Sequence, residues 1–144
     1  MLAWRNVVTQ EPVNSAREAA MSRILVIDDD AAVAKMIAHI LRAAHEIVIE
    51  ANPRAAVARL RGGERFDLIL CDITMPEMSG IEVYETLAAD DRELASRVAF
   101  MTGGGLSTEE DTFLGGVGVP RLQKPFRPAE LRARVRELIA AFAG

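Results

Sequence analysis

The sequence predicts a doubly wound α/β fold, a five-stranded parallel sheet with five helices distributed over both faces. Three observations carry that prediction. Short apolar runs of strand length recur at residues 24–27, 68–71 and 98–101, and after each the apolar spacing changes to a helical one. Turn-forming residues bound every run. Half of the 144 residues are hydrophobic while only 5% are aromatic, so the core must be aliphatic, which favours layered helices and sheet.

Length and charge narrow the classes further. The chain is long enough for one domain with a full core and too short for two ordinary ones. A formal charge of -4 argues against a nucleic-acid-binding module, which shows a basic excess. The one cysteine, Cys71, falls inside a predicted strand, leaving no disulfide framework and no zinc spacing. No run approaches the roughly 18 apolar residues of a membrane span, and Arg5, Asn6, Thr9 and Gln10 interrupt the start before a signal-peptide core can form. The expectation is a cytoplasmic protein with no membrane and no nucleic-acid partner.

Residues 1–20 show no sustained period, because Pro12, Asn14 and Ser15 break them and only residues 16–21 have helical character. They read as an N-terminal extension or linker. The domain itself is expected over residues 21–144, with no output domain attached, and Met21 is an alternative natural start.

The first strand, residues 24–27, stops at Asp28-Asp29-Asp30, after which Val33, Met36, Ile37, Ile40 and Leu41 form a helical stripe. Asp30 or Asp29 is placed to cap that helix. Capping needs one carboxylate, and three on a tight loop repel one another unless a cation or basic side chain sits there. Residues 46–50 alternate as a second strand; Asn52 and Pro53 then open a helix carrying Ala56, Val57 and Leu60, which ends at Gly62-Gly63. The third strand, residues 68–71, ends in Asp72 and a loop shaped by Met75-Pro76 and Ser79-Gly80. A helix with Ile81, Tyr84, Leu87 and Ala88 follows, then a polar connection. The fourth strand, residues 98–101, ends at Thr102; Ser107 to Glu110 is a capping box opening a short helix that Gly115, Gly116 and Gly118 stop. Pro120 places the last strand, residues 119–123, at the sheet edge, since proline cannot donate to the ladder. Lys124-Pro125 ends it, and Pro128 opens a final helix with Leu131, Val135, Leu138, Ile139 and Phe142 inward.

In such a fold all strand carboxyl ends lie on one edge, where ligands bind. Asp28 to Asp30, Asp72, Thr102 and Lys124 therefore arrive together from strands one, three, four and five. Clustered carboxylates make a hard oxygen site suited to Mg²⁺. Of 17 basic residues only Lys35 and Lys124 are lysine, so Lys124 stands out as a compact point charge. A carboxylate nucleophile, a hard cation, an ammonium and a hydroxyl are the minimum set for placing a phosphoryl group on aspartate.

At these residues the chain resembles the receiver domain of two-component response regulators, over roughly residues 22–143. The matching stretches are I-L-V-I-D-D-D, D-L-I-L-C-D-I-T-M-P-E-M-S-G, F-M-T-G-G and Q-K-P-F. The resemblance implies a flavodoxin-like sheet of order 2-1-3-4-5 and phosphorylation of Asp72 by a sensor histidine kinase or a histidine phosphotransfer protein. It implies that Asp28, Asp29, Asp72 and the backbone carbonyl of Thr74 hold Mg²⁺, that Thr102 is the switch hydroxyl, and that Lys124 contacts the phosphoryl group. A cis peptide before Pro125 is implied too. Such a protein is no enzyme beyond self-phosphorylation from a donor and slow self-dephosphorylation, and it signals to a downstream protein that the sequence does not name. Arg121 departs from the pattern, for it stands where the family carries an inward-turning aromatic residue. The stretches F-M-T-G-G-G and V-P-R-L-Q-K-P-F are also similar to receivers attached to hybrid sensor kinases.

Two rival readings use other features. A Mg²⁺-dependent phosphatase of the haloacid-dehalogenase type would use the D-x-D within Asp28 to Asp30, but Ala32 stands where Thr or Val is needed and Asp72 goes unexplained. A receiver-like scaffold without phosphorylation is the other, kept open by Arg121. His39 and His45 read as ordinary residues, the glycines before Pro120 lack a nucleotide-binding setting, and Arg132, Arg134 and Arg136 form a solvated face that with Arg121 could meet a partner.

Overall fold

The computed structural model describes residues 21–143; the extension at residues 1–20 and most of the helical character read in residues 16–21 lie outside them. Among the described residues, five strands alternate with helices, six in all because two helices follow the third strand in succession. They are β1 (Ser22–Ile27), α1 (Ala31–Leu41), β2 (His45–Glu50), α2 (Pro53–Arg61), β3 (Leu68–Asp72), α3 (Gly80–Asp90), α4 (Arg92–Ala95), β4 (Val98–Thr102), α5 (Thr108–Val117), β5 (Arg121–Gln123) and α6 (Pro128–Ala143). All neighbouring strands pair in parallel, in the order β2-β1-β3-β4-β5.

Strand alternation divides the core into two layers. Leu25, Ile27, Ile69, Cys71, Val98 and Phe100 face one side, where α2, α3, α4 and α5 cover them. Ile24, Val26, Leu68, Leu70, Ala99 and Met101 face the other, under α1 and α6. Because both faces are covered, β1 and β3 read as continuous apolar runs rather than alternating ones.

The ends of the helices follow the sequence signals. Asp30 caps α1, its Oδ1 accepting from the amides of Ala32 at 3.0 Å and Val33 at 3.3 Å. Asn52 caps α2 ahead of Pro53, and reciprocal Ser–Glu capping boxes open both α3 (Ser79, Glu82) and α5 (Ser107, Glu110). Gly118, at φ +68°, ends α5 in the left-handed conformation.

Some expectations need correction. A sixth helix, α4, occupies the stretch read as a polar connection; at four residues it is too short to display a period, and it forms because Asp91 caps it and Leu94 and Ala95 are buried. The strand predicted over residues 119–123 pairs only over its last three residues, at the sheet edge where Pro120 was expected to put it. Two helical stripes are rotated. Met36 is 40% exposed while Ala34 is buried, and on α3 it is Gly80 and Val83, not Ile81, that face the sheet with Leu87. A reading keyed to large apolar residues misses small ones placed where a helix approaches the sheet most closely.

Gly80 shows how tight that approach is. Its amide donates to the Ile73 carbonyl at 2.9 Å, closing the loop that follows β3. A Cβ added there would fall inside contact distance of the Asp72 carbonyl oxygen and of Ile73 Cα, both backbone atoms that cannot swing aside. Gly80→Ala is expected to destabilise the protein by about 1–3 kcal/mol. The check is a lowered urea midpoint with an unchanged m-value.

Candidate functional site

A parallel sheet delivers the carboxyl ends of all its strands to one edge, and β1 and β3 are neighbours there. Asp28 follows β1, Asp72 is the last residue of β3, Thr102 the last of β4, and Lys124 follows β5. Asp28 is fully buried, and Asp72 and Thr102 are 6% exposed. Burial of this kind requires partners. Asp28 Oδ1 accepts from the Asp30 amide at 2.9 Å and its Oδ2 from Lys124 Nζ at 2.9 Å. The same ammonium donates to Asp72 Oδ1 at 3.2 Å.

The acidic triplet therefore divides its work. Asp30 caps α1, Asp28 is held inside by the lysine, and Asp29 remains exposed beside them. Asp28, Asp29 and Asp72 each offer a carboxylate oxygen, and the three lie within 4.8 Å of one another. Thr74 sits two residues past Asp72 on an exposed stretch of the loop, which Met75 and Met78 anchor by burial. The backbone links Thr102 to the group as well, since its carbonyl accepts from the Lys124 amide at 2.7 Å. The Lys124-Pro125 peptide is cis.

Two carboxylates share one ammonium, and a third, Asp29, lies beside them. Burial first, and then the charge of Asp28, push the Asp72 carboxyl above its usual range, against the opposing pull of Lys124. For Lys124, burial alone would lower the ammonium, but the hydrogen bond to Asp28 and the charge of Asp72 outweigh it and hold the lysine above its usual range. The two directions are consistent: an ammonium shared between two carboxylates gains from both, while each carboxylate receives only part of it. Excess negative charge on hard oxygen donors fits a small divalent cation.

Arg121 lies apart from the carboxylates. Its guanidinium is 3.2 Å from Asp111 Oδ1 on α5, in a solvent-exposed ion pair. Together with Thr102, Gly103 and residues 105–108 it lines a polar cleft of about 550 Å³ between β5 and the loop before α5. The partnership with Asp111 had no signal in the sequence, because it spans a helix and a strand ten residues apart. Tyr84 packs edge-on against Phe100 and Phe113, at 5.9 and 6.3 Å between ring centres, beneath that loop. His39 is exposed beside Arg42, and His45 is buried at the opposite edge of the sheet.

The sheet order and the shared lysine define a class of protein, single-sheet α/β domains in which acidic side chains from two adjacent strands gather around one ammonium at the topological switch point. The chain belongs to the response regulator receiver domain family, whose family model matches residues 24–136. The DNA-binding response regulator MtrA of Mycobacterium leprae is 36% identical over 120 residues, covering 79% of this chain and 49% of its own length. The phosphate regulon transcriptional regulatory protein PhoB of Pseudomonas aeruginosa is 33% identical over 119 residues, 81% of this chain and 51% of its own. The chain spans about half the length of the curated relatives it matches. Among solved structures, the CheY-like receiver domain protein of Methanospirillum hungatei superposes with a TM-score of 0.75 at 28% identity, covering 85% of this chain and 97% of that one. Chemotaxis protein CheY4 of Vibrio cholerae gives 0.71 at 28% identity, covering 83% and 99%. By their descriptions these relatives are a DNA-binding response regulator and a transcriptional regulatory protein. Among the described residues, no helix is long and apolar enough to cross a membrane.

The raised Asp72 carboxyl has a thermodynamic signature. A carboxyl raised in the folded state is harder to ionise there than in the unfolded chain. The penalty is absent where both states are protonated, below the ordinary value of 3.8, and grows to its full size as pH rises past the raised folded value. Asp72→Asn is therefore expected to raise the melting temperature at neutral pH without divalent cations, with the gain vanishing below about pH 3.8. Thermal melts of both proteins across pH in a chelating buffer check this.

Proposed function

We propose that this chain accepts a phosphoryl group on Asp72 from the phosphohistidine of a sensor histidine kinase or a histidine phosphotransfer protein, and that this changes a surface read by a downstream protein. The observation that carries the reading is Lys124 Nζ between Asp28 and Asp72, at 2.9 and 3.2 Å. That contact compensates Asp72 only in part, and it stations a cation where transferred phosphoryl oxygens would arrive.

On this reading a carboxylate oxygen of Asp72 attacks phosphorus in line, the P–N bond breaks, and the imidazole leaves with the electron pair. Lys124 turns part of its charge from Asp72 to a phosphoryl oxygen while keeping Asp28 as its anchor. Thr102, at the end of β4, offers its hydroxyl to another of the oxygens. Asp28, Asp29, Asp72 and the Thr74 carbonyl would hold Mg²⁺, which supplies charge neutralisation at the transferring group. The fit rests on the three convergent carboxylates and their excess charge.

The altered surface would be the Thr102 loop together with β5. A new bond from Thr102 draws in residues 103–107, the loop that leads to α5 and the Asp111–Arg121 pair. Arg121 thus occupies the family's aromatic position with a charged contact. Its solvent exposure makes the pair weak, worth under about 1 kcal/mol, so the loop can rearrange without a large opposing force.

Intact-mass measurement with acetyl phosphate tests the proposal directly. A gain of one phosphoryl group is expected for wild type with Mg²⁺, with none when Mg²⁺ is chelated and none for Asp72→Asn. If neither acetyl phosphate nor a histidine kinase loads wild-type protein and Mg²⁺ does not bind, a phosphorylation-independent scaffold is the better reading.

A further inference from the structure

A second feature lies at the opposite edge of the sheet from the carboxylates, where β1 and β2 begin and α1 and α6 end. It is a groove of about 400 Å³, lined by Ile40 and Leu41 at the end of α1 and by Ile139 and Ala140 of α6. His45, the first residue of β2, lines it too. That side chain is only 8% exposed, and its Nδ1 has no hydrogen-bond partner among the described residues. Buried polar atoms are nearly always hydrogen-bonded, so this one calls for an explanation.

Arg132 and Arg136 of α6 line the same groove, exposed and one helical turn apart. Neither belongs to an ion pair among the described residues, whereas Arg134, between them in sequence, pairs with Glu137. Burial first, and then the charge of Arg136, hold the His45 imidazole below its usual range, against the pull of Asp67. The ring is therefore neutral at neutral pH.

These properties select an occupant. The volume falls within the range of small-molecule sites, about 300–1,000 Å³. Apart from Ser22, His45 and the two arginines the lining is aliphatic, and no carboxylate belongs to it. A hydrocarbon chain laid between α1 and α6 removes apolar surface from water on both sides of the contact. The fixed charge of the groove is all positive, so the head of such a molecule must be an anion. A planar carboxylate matches the guanidinium fork, and one held by Arg136 gives the neutral His45 ring an acceptor.

We propose that this groove binds a free aliphatic carboxylate of medium chain length, with its tail against Ile40, Leu41 and Ile139 and its head on Arg132 and Arg136 beside His45. The site uses none of the residues of the phosphoryl chemistry. Its failure and that of the proposed function are therefore separable, and Asp72→Asn is expected to bind the carboxylate as wild type does.

The probe is decanoate, titrated below its micellar range into the 144-residue protein and followed by NMR of the histidine rings. Acetate, which has the head without the tail, is the comparison. Expected are saturable, one-site shifts of the His45 ring, little change at the exposed His39, which is the only other histidine, and a melting temperature raised by decanoate but not by acetate. Replacing both arginines, Arg132→Gln with Arg136→Gln, should weaken decanoate binding at least about tenfold, since charge-assisted hydrogen bonds are lost. Ala140→Gln keeps both arginines but fills part of the groove from an exposed position, and it should abolish saturation with circular dichroism unchanged. Either variant decides if the other fails to fold. No saturation below about 1 mM, shifts at His39 as large as those at His45, or binding that both variants leave intact overturns the proposal. A dimer that Ala140→Gln dissociates and decanoate does not, by sedimentation, makes a second copy the occupant and also overturns it.

Discussion

Much of this structure depends on one ammonium group shared by two carboxylates. Asp28 is fully buried, and an ionised carboxylate there is tolerable only because Lys124 and the Asp30 amide satisfy it. Lys124 comes from 96 positions further along the chain. Its place is set by β5, a three-residue edge strand with little ladder of its own, and by its amide bond to the Thr102 carbonyl. The contact therefore ties strands one, three, four and five together at the edge where the loops are longest. Asp72 is thereby linked through Lys124 to β5, the shortest strand of the sheet.

The same arrangement is a poor solution for stability alone. A hydrophobic replacement of a buried ion cluster is often neutral or favourable, whereas here two carboxylates share one lysine with a third, Asp29, beside them, and the Asp72 carboxyl is held above its usual range. The rest of the fold supplies what that strain requires. Two well-packed aliphatic layers lie beneath it, and every residue of β3 is buried. Capped helices and the close Gly80 turn fix the loops that carry Asp28 and Asp72. Rigid support beneath an uncompensated charge is the condition under which a site can respond to a cation or an anion without unfolding.

The two ends of the sheet have different characters. At the carboxyl edge the polar cleft by Thr102 is bordered by the weak Arg121–Asp111 pair, with Tyr84, Phe100 and Phe113 packed below. At the amino edge the groove is apolar and flanked by arginines. Helices α1 and α6 run between the two, so the face they share connects the carboxylate pole to the apolar groove. The arginines at positions 132 and 136, read from sequence as a solvated face, stand along that groove.

By itself the sequence determined the parallel sheet, its strand order through family resemblance, the edge position of β5, the Asn52 cap and Ser107–Glu110 capping box, and the meeting of Asp28, Asp72, Thr102 and Lys124. These were legible because they rest on local signals: apolar runs ended by charged or hydroxyl residues, period changes, and cap residues at fixed offsets. The family comparisons agree with that reading of fold and class. Tertiary structure decided the rest. Which carboxylate of the triplet goes inside depends on where Lys124 arrives in space, and no local pattern separates Asp28 from Asp29 on that ground. The inward places of Ala34 and Gly80 depend on how closely a helix lies on the sheet. The pairing of Arg121 with Asp111 and the groove between α1 and α6 depend on surfaces brought together from distant segments, and a one-dimensional pattern carries no record of such distances.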